Sequence, residues 1–350
     1  MQRIEIGHVN LSRGFRGGER QTELLISELA KKGIQQKLIC RKGSKIAFDL
    51  SKTQNLEIFE LERCIDLRLN GHKPLSSCTI IQAHEARAAQ WACLHKLLYG
   101  TPYVITRRVP EAIRSNFFNK KIYLSADAIV GISNAICTIL EKTFSVKPIL
   151  IPSACAHFEP NSESLTKLAT KYSGRFIVGN IGALVDKHKG QSVLINAARV
   201  LKKSIPNLLV VFLGDGKDKE KLIEQSKDIS DFVEFVGFVN NVADYIHIMD
   251  VFAYPSNYEG LGSVLLDVME QGVPIVATNV DGIPDIVKNE TTGLLIQRGN
   301  YRELASSILR LKDDDRLRSR VILKGKELSN SFSPETMASR YLNLYYKILD

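Results

Sequence analysis

The chain has no apolar stretch long enough to cross a bilayer. Its longest apolar runs, such as Leu208–Leu213, fall far short of the ~20 residues a spanning helix needs. The N-terminal Met1-Gln2-Arg3-Ile4-Glu5-Ile6 alternates like a strand and lacks the apolar core and cleavage site of a signal peptide. Cysteine is sparse: Cys40, Cys64, Cys78, Cys93, Cys137 and Cys155, no two with CxxC spacing, which argues against a zinc site or a redox pair. Most of the six sit in apolar stretches, where a free thiol behaves as a small hydrophobe, and a reduced cytoplasmic setting is expected. There is no low-complexity tract and no short internal repeat, which excludes a repeat array.

What is present is ordinary for a globular protein: 350 residues, 44% hydrophobic and 24% charged, a length that suggests two domains. The net charge of +9 is unevenly placed. Residues 1–150 hold 23 Lys and Arg against 13 Asp and Glu; the remainder holds 24 against 25. All the excess is in the N-terminal half, which favours an anionic partner there, or else reflects a solubility charge that falls unevenly.

Short apolar runs alternate with longer amphipathic ones. Strands are expected near Ile4–Val9, Gln36–Cys40, Thr79–Gln82, Tyr103–Thr106, Ala128–Gly131 and Pro148–Ile151, with helices at Glu19–Lys31, Ala86–Tyr99 and Asn134–Lys142. The second half repeats the rhythm. Its strands are expected at Phe176–Asn180, Leu208–Leu213, Val233–Phe235, Val251–Ala253 and Ile275–Thr278, and its helices at Ser192–Lys203, Asp218–Ser226, Val242–Ile248 and Ser263–Glu270. This is the pattern of an α/β chain with two doubly wound, Rossmann-like parallel sheets. The polar Ala156–Ser173 segment is the expected join, dividing residues 1–160 from 161–332. Ser333-Pro334-Glu335 opens a last helix, 333–350, whose Met337, Tyr341, Leu344, Tyr345 and Ile348 form a packing stripe. Such sheets bind ligands beyond the carboxyl ends of their strands, and two facing domains would enclose a cleft.

The richest strand-end segment runs Pro255-Ser-Asn-Tyr-Glu259-Gly260-Leu261-Gly262-Ser263 and continues into a helix that carries Asp267. Glycines admit close backbone approach, a helix start offers free N–H groups to an anion, and carboxylates accept hydrogen bonds from sugar hydroxyls. The alternative makes Glu259 a plain loop carboxylate and Asp267 an ordinary surface charge. The segment resembles the signature of retaining glycosyltransferases of family 4, which have the GT-B fold. Their pattern is Glu-Gly-Phe-Gly with a second Glu eight residues after the first. The resemblance implies that Glu259 contacts the donor sugar and that Asp267, standing where Glu is usual, contacts the ribose. Gly179-Asn-Ile-Gly182-Ala183 through Lys187, Lys189 and Gly190 resembles the family's Gly-Arg-Leu…Lys-Gly loop. Lys189 inherits the diphosphate contact, Ala183 replaces the Arg, and Lys187 supplies neighbouring charge. Leu213-Gly214-Asp215-Gly216 resembles a further family turn, and Phe235-Val-Gly237-Phe238-Val239 the nucleobase-side loop. Asp281-Gly282-Ile283-Pro284-Asp285 stands where the family has Gly-Gly-x-x-Glu.

In the N-terminal half, Arg16-Gly17-Gly18-Glu19-Arg20-Gln21 resembles the family's glycine-rich loop, where donor phosphates and acceptor approach. Ile81-Gln82-Ala83-His84-Glu85 resembles its His-Ala-His segment, and Thr106-Arg107-Arg108 its Thr-x-His, with Arg108 at the His position. The resemblance implies transfer of a glycosyl unit from a nucleotide-diphosphate sugar to a glycan or lipid-linked acceptor, such as a lipopolysaccharide core, with retention at the anomeric carbon. It also implies a final helix returning to the N-terminal domain. Catalytic candidates are Glu259, Lys189, Arg108 and His84; Arg16, Arg20, Glu85 and Arg107 are candidates for the acceptor. Charge builds on the departing diphosphate, so preorganised donors would carry most of the catalysis.

No cofactor or metal is expected. Asp313-Asp314-Asp315 imitates a metal-binding DxD but lies between two helical patterns, where it reads as a cap and solvated turn. The basic-aromatic stretch Arg114 to Tyr123, with Phe117, Phe118, Lys120 and Lys121, is either a contact for the anionic inner face of the cytoplasmic membrane or a core-facing helix with lysines at its edge. Rival readings are a nucleotide-sugar epimerase or phosphorylase of the same fold, or a non-catalytic sugar-nucleotide-binding subunit. Nucleic-acid binding is disfavoured, since the basic residues are dispersed and no recognition module is evident.

Overall fold

The computed structural model describes residues 4–62, 69–114 and 116–350. Cys64, the first three residues of the N-terminal strand pattern and Ser115 of the basic-aromatic stretch lie outside these. The chain divides into two compact units: Met1–Ala156 with Phe332–Asp350, and His157–Ser331.

The first unit holds seven strands: β1 (Glu5–Asn10), β2 (Gln35–Arg41), β3 (Leu56–Leu61), β4 (Ile80–Ala83), β5 (Tyr103–Arg107), β6 (Ala128–Gly131) and β7 (Ile149–Leu150). All neighbours pair in parallel, in the order β3-β2-β1-β4-β5-β6-β7. Val9 of β1 is in register with Ile39 of β2 and with Ala83 of β4. Chain direction across the sheet therefore reverses between β1 and β4, the switch point at which doubly wound sheets place ligands. Strands at the centre are covered on both faces, so β1 and β4 are buried almost throughout, their polar His8, Asn10 and Gln82 included. The Gly17–Lys31 helix buries Leu25 and Leu29 against Ile6, Ile80, Val104 and Val130. The last helix, Pro334–Leu349, adds Met337, Tyr341, Leu344 and Tyr345 to the same core. Each such side chain contributes about 1.5–3 kcal/mol on burial. Ser333 caps that helix by accepting from the Thr336 N–H at 3.0 Å, and Pro334 occupies the first turn, where no N–H is missed.

The second unit has six parallel strands: β8 (Phe176–Ile181), β9 (Leu208–Leu213), β10 (Val233–Gly237), β11 (Val251–Tyr254), β12 (Ile275–Thr278) and β13 (Leu294–Ile296). Their order is β10-β9-β8-β11-β12-β13, which puts the switch point between β8 and β11. Its core joins Val178, Val210, Phe212, Ala253 and Val276 to Leu194, Ala198 and Leu201 of one helix and Leu304, Ile308 and Leu311 of another.

Three expectations are refined. The polar Ala156–Ser173 join starts irregular and then holds a helix, Ser162–Lys171, capped by Asn161 accepting from Ser164 N–H at 3.0 Å and anchored where Asn161 N–H donates to Asp244 at 2.6 Å. β3 and the Lys45–Leu50 helix went unseen, because β3 is an edge strand only half buried along its length and the helix is under two turns. Phe117–Leu124 is a helix, but only its Ile122 and Tyr123 are buried, while Phe117 and Phe118 are 86% and 56% exposed. The core-facing alternative thus holds for one end of that stretch alone.

Candidate active site

At the switch point of the second unit, the segments leaving β8 and β11 are stitched together. The His188 carbonyl accepts from the N–H groups of Asn257 at 2.8 Å and Tyr258 at 3.3 Å. This places Lys189, the last residue of a single helical turn (Asp186–Lys189), beside Glu259. Its ammonium donates to the Tyr254 hydroxyl at 2.8 Å and pairs with a Glu259 carboxylate oxygen. Tyr254 in turn donates to that same oxygen at 2.5 Å. Burial opposes the Lys189 charge, but Tyr254 and Glu259 outweigh it and hold its pKa above the ordinary value. Burial, with Glu259 beside it, pushes the Tyr254 hydroxyl up as well. The cluster therefore holds a permanent cation, a neutral phenol and a carboxylate at one strand end.

Two glycines make this approach feasible. Gly190 has φ +63°, and a Cβ there would lie 2.1 Å from the Pro255 carbonyl oxygen. Gly262 has φ +80°, and a Cβ there would press on Leu265 at 3.0 Å and on Glu259 and Tyr254 at 3.4 Å. Asp281 fixes the carboxylate's backbone: its Oδ2 accepts from Glu259 N–H at 2.9 Å, and Gly282 N–H donates to the Glu259 carbonyl at 3.3 Å. Gly182 follows β8 and lies near the Lys189 side chain, and Gly214, after β9, donates its N–H to Gly237 at 2.7 Å. Gly260 and Leu261 are buried, Ser263 is half-buried, Lys187 and Phe238 are exposed, and Val239 is half-buried. Asp267 is buried within the Val264–Glu270 helix, which rules out the surface-charge alternative.

The first unit presents a second cluster at its own switch point. Gly17 and Gly18 form the first turn of the Gly17–Lys31 helix, and the Glu19 carboxylate accepts from the exposed Arg16's N–H at 2.8 Å. Gly18 faces Arg108, whose Cδ would stand 3.4 Å from a Cβ at that glycine. Burial lowers the Arg108 pKa, and Tyr341, Glu19 and Tyr345 oppose the fall. Those tyrosines belong to a buried chain: Tyr345 donates to Gln82 at 2.8 Å, Gln82 to Thr106 at 2.9 Å, and Thr106 meets the Tyr341 hydroxyl at 2.8 Å. His84, just past β4, bonds through Nε2 to His8 Nδ1 at 3.0 Å. Its pKa is held well below the ordinary value by burial, then by His8 and Arg108.

Comparison with known proteins bears on the second unit most directly. Residues 162–328 match the family described as glycosyl transferases group 1. Residues 162–328 are a glycosyl transferases group 1 domain. Similar proteins include the capsular polysaccharide biosynthesis glycosyltransferase CapM of Staphylococcus aureus, 28% identical over 205 residues (55% of this chain, 52% of that protein). The lipopolysaccharide core biosynthesis glycosyltransferase LpsE of Rhizobium meliloti is 31% identical over 171 residues (48% and 49%). The chain thus matches about half the length of these curated relatives. Among solved structures, Anabaena Alr3699/HepE with UDP and glucose superposes with a TM-score of 0.86 over 98% of this chain and all of that one, at 17% identity. That likeness bears out the fold expectation, GT-B with two Rossmann-like units.

Within the group 1 domain, the motif pattern brought Lys189, Glu259, Gly190 and Gly262 to one place but missed Tyr254 and the clamping role of Asp281. Tyr254 reads as one more apolar strand residue, and only the end of β11 beside Lys189 turns its hydroxyl into a site group. The Glu85 carboxylate caps the Ala86–Tyr99 helix, accepting from Arg87 N–H at 2.6 Å, Ala88 N–H at 2.8 Å and Leu11 N–H at 3.3 Å. It serves as the cap of that helix. Arg20 pairs with Glu23 and lies over the Phe15 ring, and Arg107 donates to the Glu111 carbonyl at 3.0 Å. Asp314 caps the Asp315–Ser329 helix, accepting from Leu317 N–H at 2.9 Å, so the Asp313–Asp315 run serves as the expected cap.

Proposed function

We propose that the protein is a retaining glycosyltransferase that moves a sugar from a nucleotide-diphosphate donor to a glycan or lipid-linked acceptor of the cell envelope. The observation that carries this reading is the Lys189–Tyr254–Glu259 cluster at the β8/β11 switch point of a group 1 domain. Lys189 supplies a fixed positive charge for the leaving diphosphate, worth most where water is excluded. Glu259 offers its carboxylate to the donor sugar's hydroxyls, and Asp267 serves the ribose. Relatives named for lipopolysaccharide core and capsule synthesis support an envelope acceptor, and a structural neighbour named as a complex with UDP and glucose supports the donor class. Nothing in the matches favours an epimerase. A thermal-shift panel of UDP-, GDP- and ADP-sugars tests the reading, because a ligand of the native state raises apparent stability. One sugar nucleotide raising the midpoint, with the gain lost in Glu259→Ala, is expected; no response to any of them overturns it.

The reaction needs no metal in this reading, so EDTA leaves turnover unchanged; loss of turnover that Mg²⁺ restores overturns that part. Among the described residues, no helix is long and apolar enough to cross a membrane. The exposed Phe117 and Phe118, with Lys120 and Lys121 on the same short helix, and the positive balance of the first 150 residues support peripheral contact with an anionic cytoplasmic membrane face.

A further inference from the structure

We propose that a cavity in the first unit, at the carboxyl ends of β4 and β5, holds one phosphate or carboxylate group of the acceptor between Arg107 and Arg114. The cavity has a volume of about 230 Å³. It is lined by Ala86 and Gln90 of the Ala86–Tyr99 helix, by Arg107 at the end of β5, by Arg114, and by Asn119 and Tyr123 of the Phe117–Leu124 helix. Small-molecule sites typically enclose ~300–1,000 Å³, so this one suits a single substituent and not a whole glycan. It lies at the end of the sheet where parallel strands present ligands.

The charge of the lining decides the ligand. Two guanidinium groups line the cavity and no carboxylate does. Arg107 is half-buried, and its partners are neutral: the Glu111 carbonyl at 3.0 Å and the Tyr123 hydroxyl. Its Nε has no partner among the described residues. The exposed Arg114 guanidinium has none among them either, whereas its backbone is held, its carbonyl accepting from Asn116 N–H at 2.9 Å and Asn119 Nδ2 at 2.8 Å. Glu85, whose charge reaches Tyr123, cannot serve as the counter-ion, because its carboxylate is taken up by the N–H groups of Arg87, Ala88 and Leu11. A partly buried cation without a counter-ion calls for an anion. The planar fork of arginine fits the paired oxygens of a phosphate or a carboxylate. The helix that forms one wall also carries the exposed Phe117 and Phe118. A lipid headgroup phosphate is therefore one source of the anion, and a charged sugar of the glycan is the other. Calling the ligand an acceptor rests on the glycosyltransferase reading, whereas the anion site rests on the cavity and its charges.

The test follows the Nε–H signals of Arg107 and Arg114 by NMR in the intact protein, assigned from Arg107→Lys and Arg114→Lys. UDP is present throughout, so that phosphate does not answer from Lys189. Inorganic phosphate, glucose 6-phosphate, dihexanoyl phosphatidylglycerol, glucose and glycerol are added singly. Saturable movement of both signals with the phosphate-bearing probes, and none with glucose or glycerol, is expected. Arg107→Gln and Arg114→Gln should each raise the Kd of glucose 6-phosphate at least roughly tenfold, read from the arginine that remains. Arg114 is exposed, so its variant keeps the fold even where Arg107→Gln does not. Signals that no phosphate moves, that glucose moves equally, or an unchanged Kd in Arg114→Gln overturn the site. Tighter binding of the lipid than of glucose 6-phosphate assigns a headgroup phosphate, and the reverse assigns a charged glycan; either supports the site. Release of nucleoside diphosphate without any phosphate-induced movement overturns the anion site and leaves the transferase reading. Movement in a protein that turns over no sugar nucleotide leaves the anion site and overturns its assignment to an acceptor.

Discussion

Lys189 and Glu259 should be coupled in stability yet inseparable in activity. Lys189→Met removes the cation and leaves the carboxylate with the Tyr254 hydroxyl at 2.5 Å and the Gly260 N–H at 3.2 Å as partners. Breaking a buried ion pair from one side costs about 3–5 kcal/mol, but here the two side chains keep 23% and 16% of their surface and the survivor keeps other partners, so about 2 kcal/mol is expected. Glu259→Gln keeps the shape and loses the charge, at about 1.5 kcal/mol. With both changes no uncompensated charge remains, and the Tyr254 hydroxyl still meets an amide, so the pair should cost only about 1 kcal/mol. The sum of the single costs thus exceeds the double by about 2.5 kcal/mol, well beyond the ~0.5 kcal/mol within which independent sites add. Urea unfolding of the four proteins measures this. Donor turnover in all three variants should fall at least about 100-fold, since the re-stabilised double variant still lacks the charge for the diphosphate. Additive stabilities, or a double variant with near-normal turnover, would refute the reasoning.

Gly190→Ala should destabilise the second unit by roughly 2 kcal/mol or more, because a Cβ would meet a carbonyl oxygen and the left-handed φ resists a side chain; an unchanged urea midpoint contradicts it. Stability should fall as pH drops from 6.5 to about 4, because His8 and His95 have pKa values lowered to about 4 by burial. A depressed histidine contributes fully above its unfolded value and loses that contribution as pH falls through its folded value, worth about 3 kcal/mol for the fully buried His8. Urea titrations across that window check this, and a flat profile refutes it. Replacing Phe117 and Phe118 by Ser should weaken salt-sensitive sedimentation with anionic liposomes without changing the urea midpoint, since both rings are exposed; equal sedimentation of both proteins speaks against the membrane contact.

The parts legible in the sequence were those with strong local patterns. Leu208–Leu213 is six apolar residues and all six are buried, as a central parallel strand requires. Ala86–Tyr99 begins and ends where its pattern does, closed by Gly100 in the left-handed conformation. The motif around Glu259 carried the site because glycines at 260 and 262 flag close approach. Other features depend on what the fold brings together. Glu85 beside a histidine looks like chemistry, whereas three backbone amides make it a cap. Tyr254 and Asp281 join the site through strand ends 27 residues apart in sequence, a proximity that no local pattern records.

The central claim is that the Lys189–Tyr254–Glu259 cluster turns over a sugar nucleotide. The measurement closest to it is release of nucleoside diphosphate from the donor picked out by the stability panel, compared between the unaltered protein and Glu259→Ala, with folding of the variant checked by urea unfolding. Steady release by the unaltered protein, abolished in a folded Glu259→Ala, is the predicted result. Equal release by both proteins, or none by the unaltered protein with any sugar nucleotide, would contradict it.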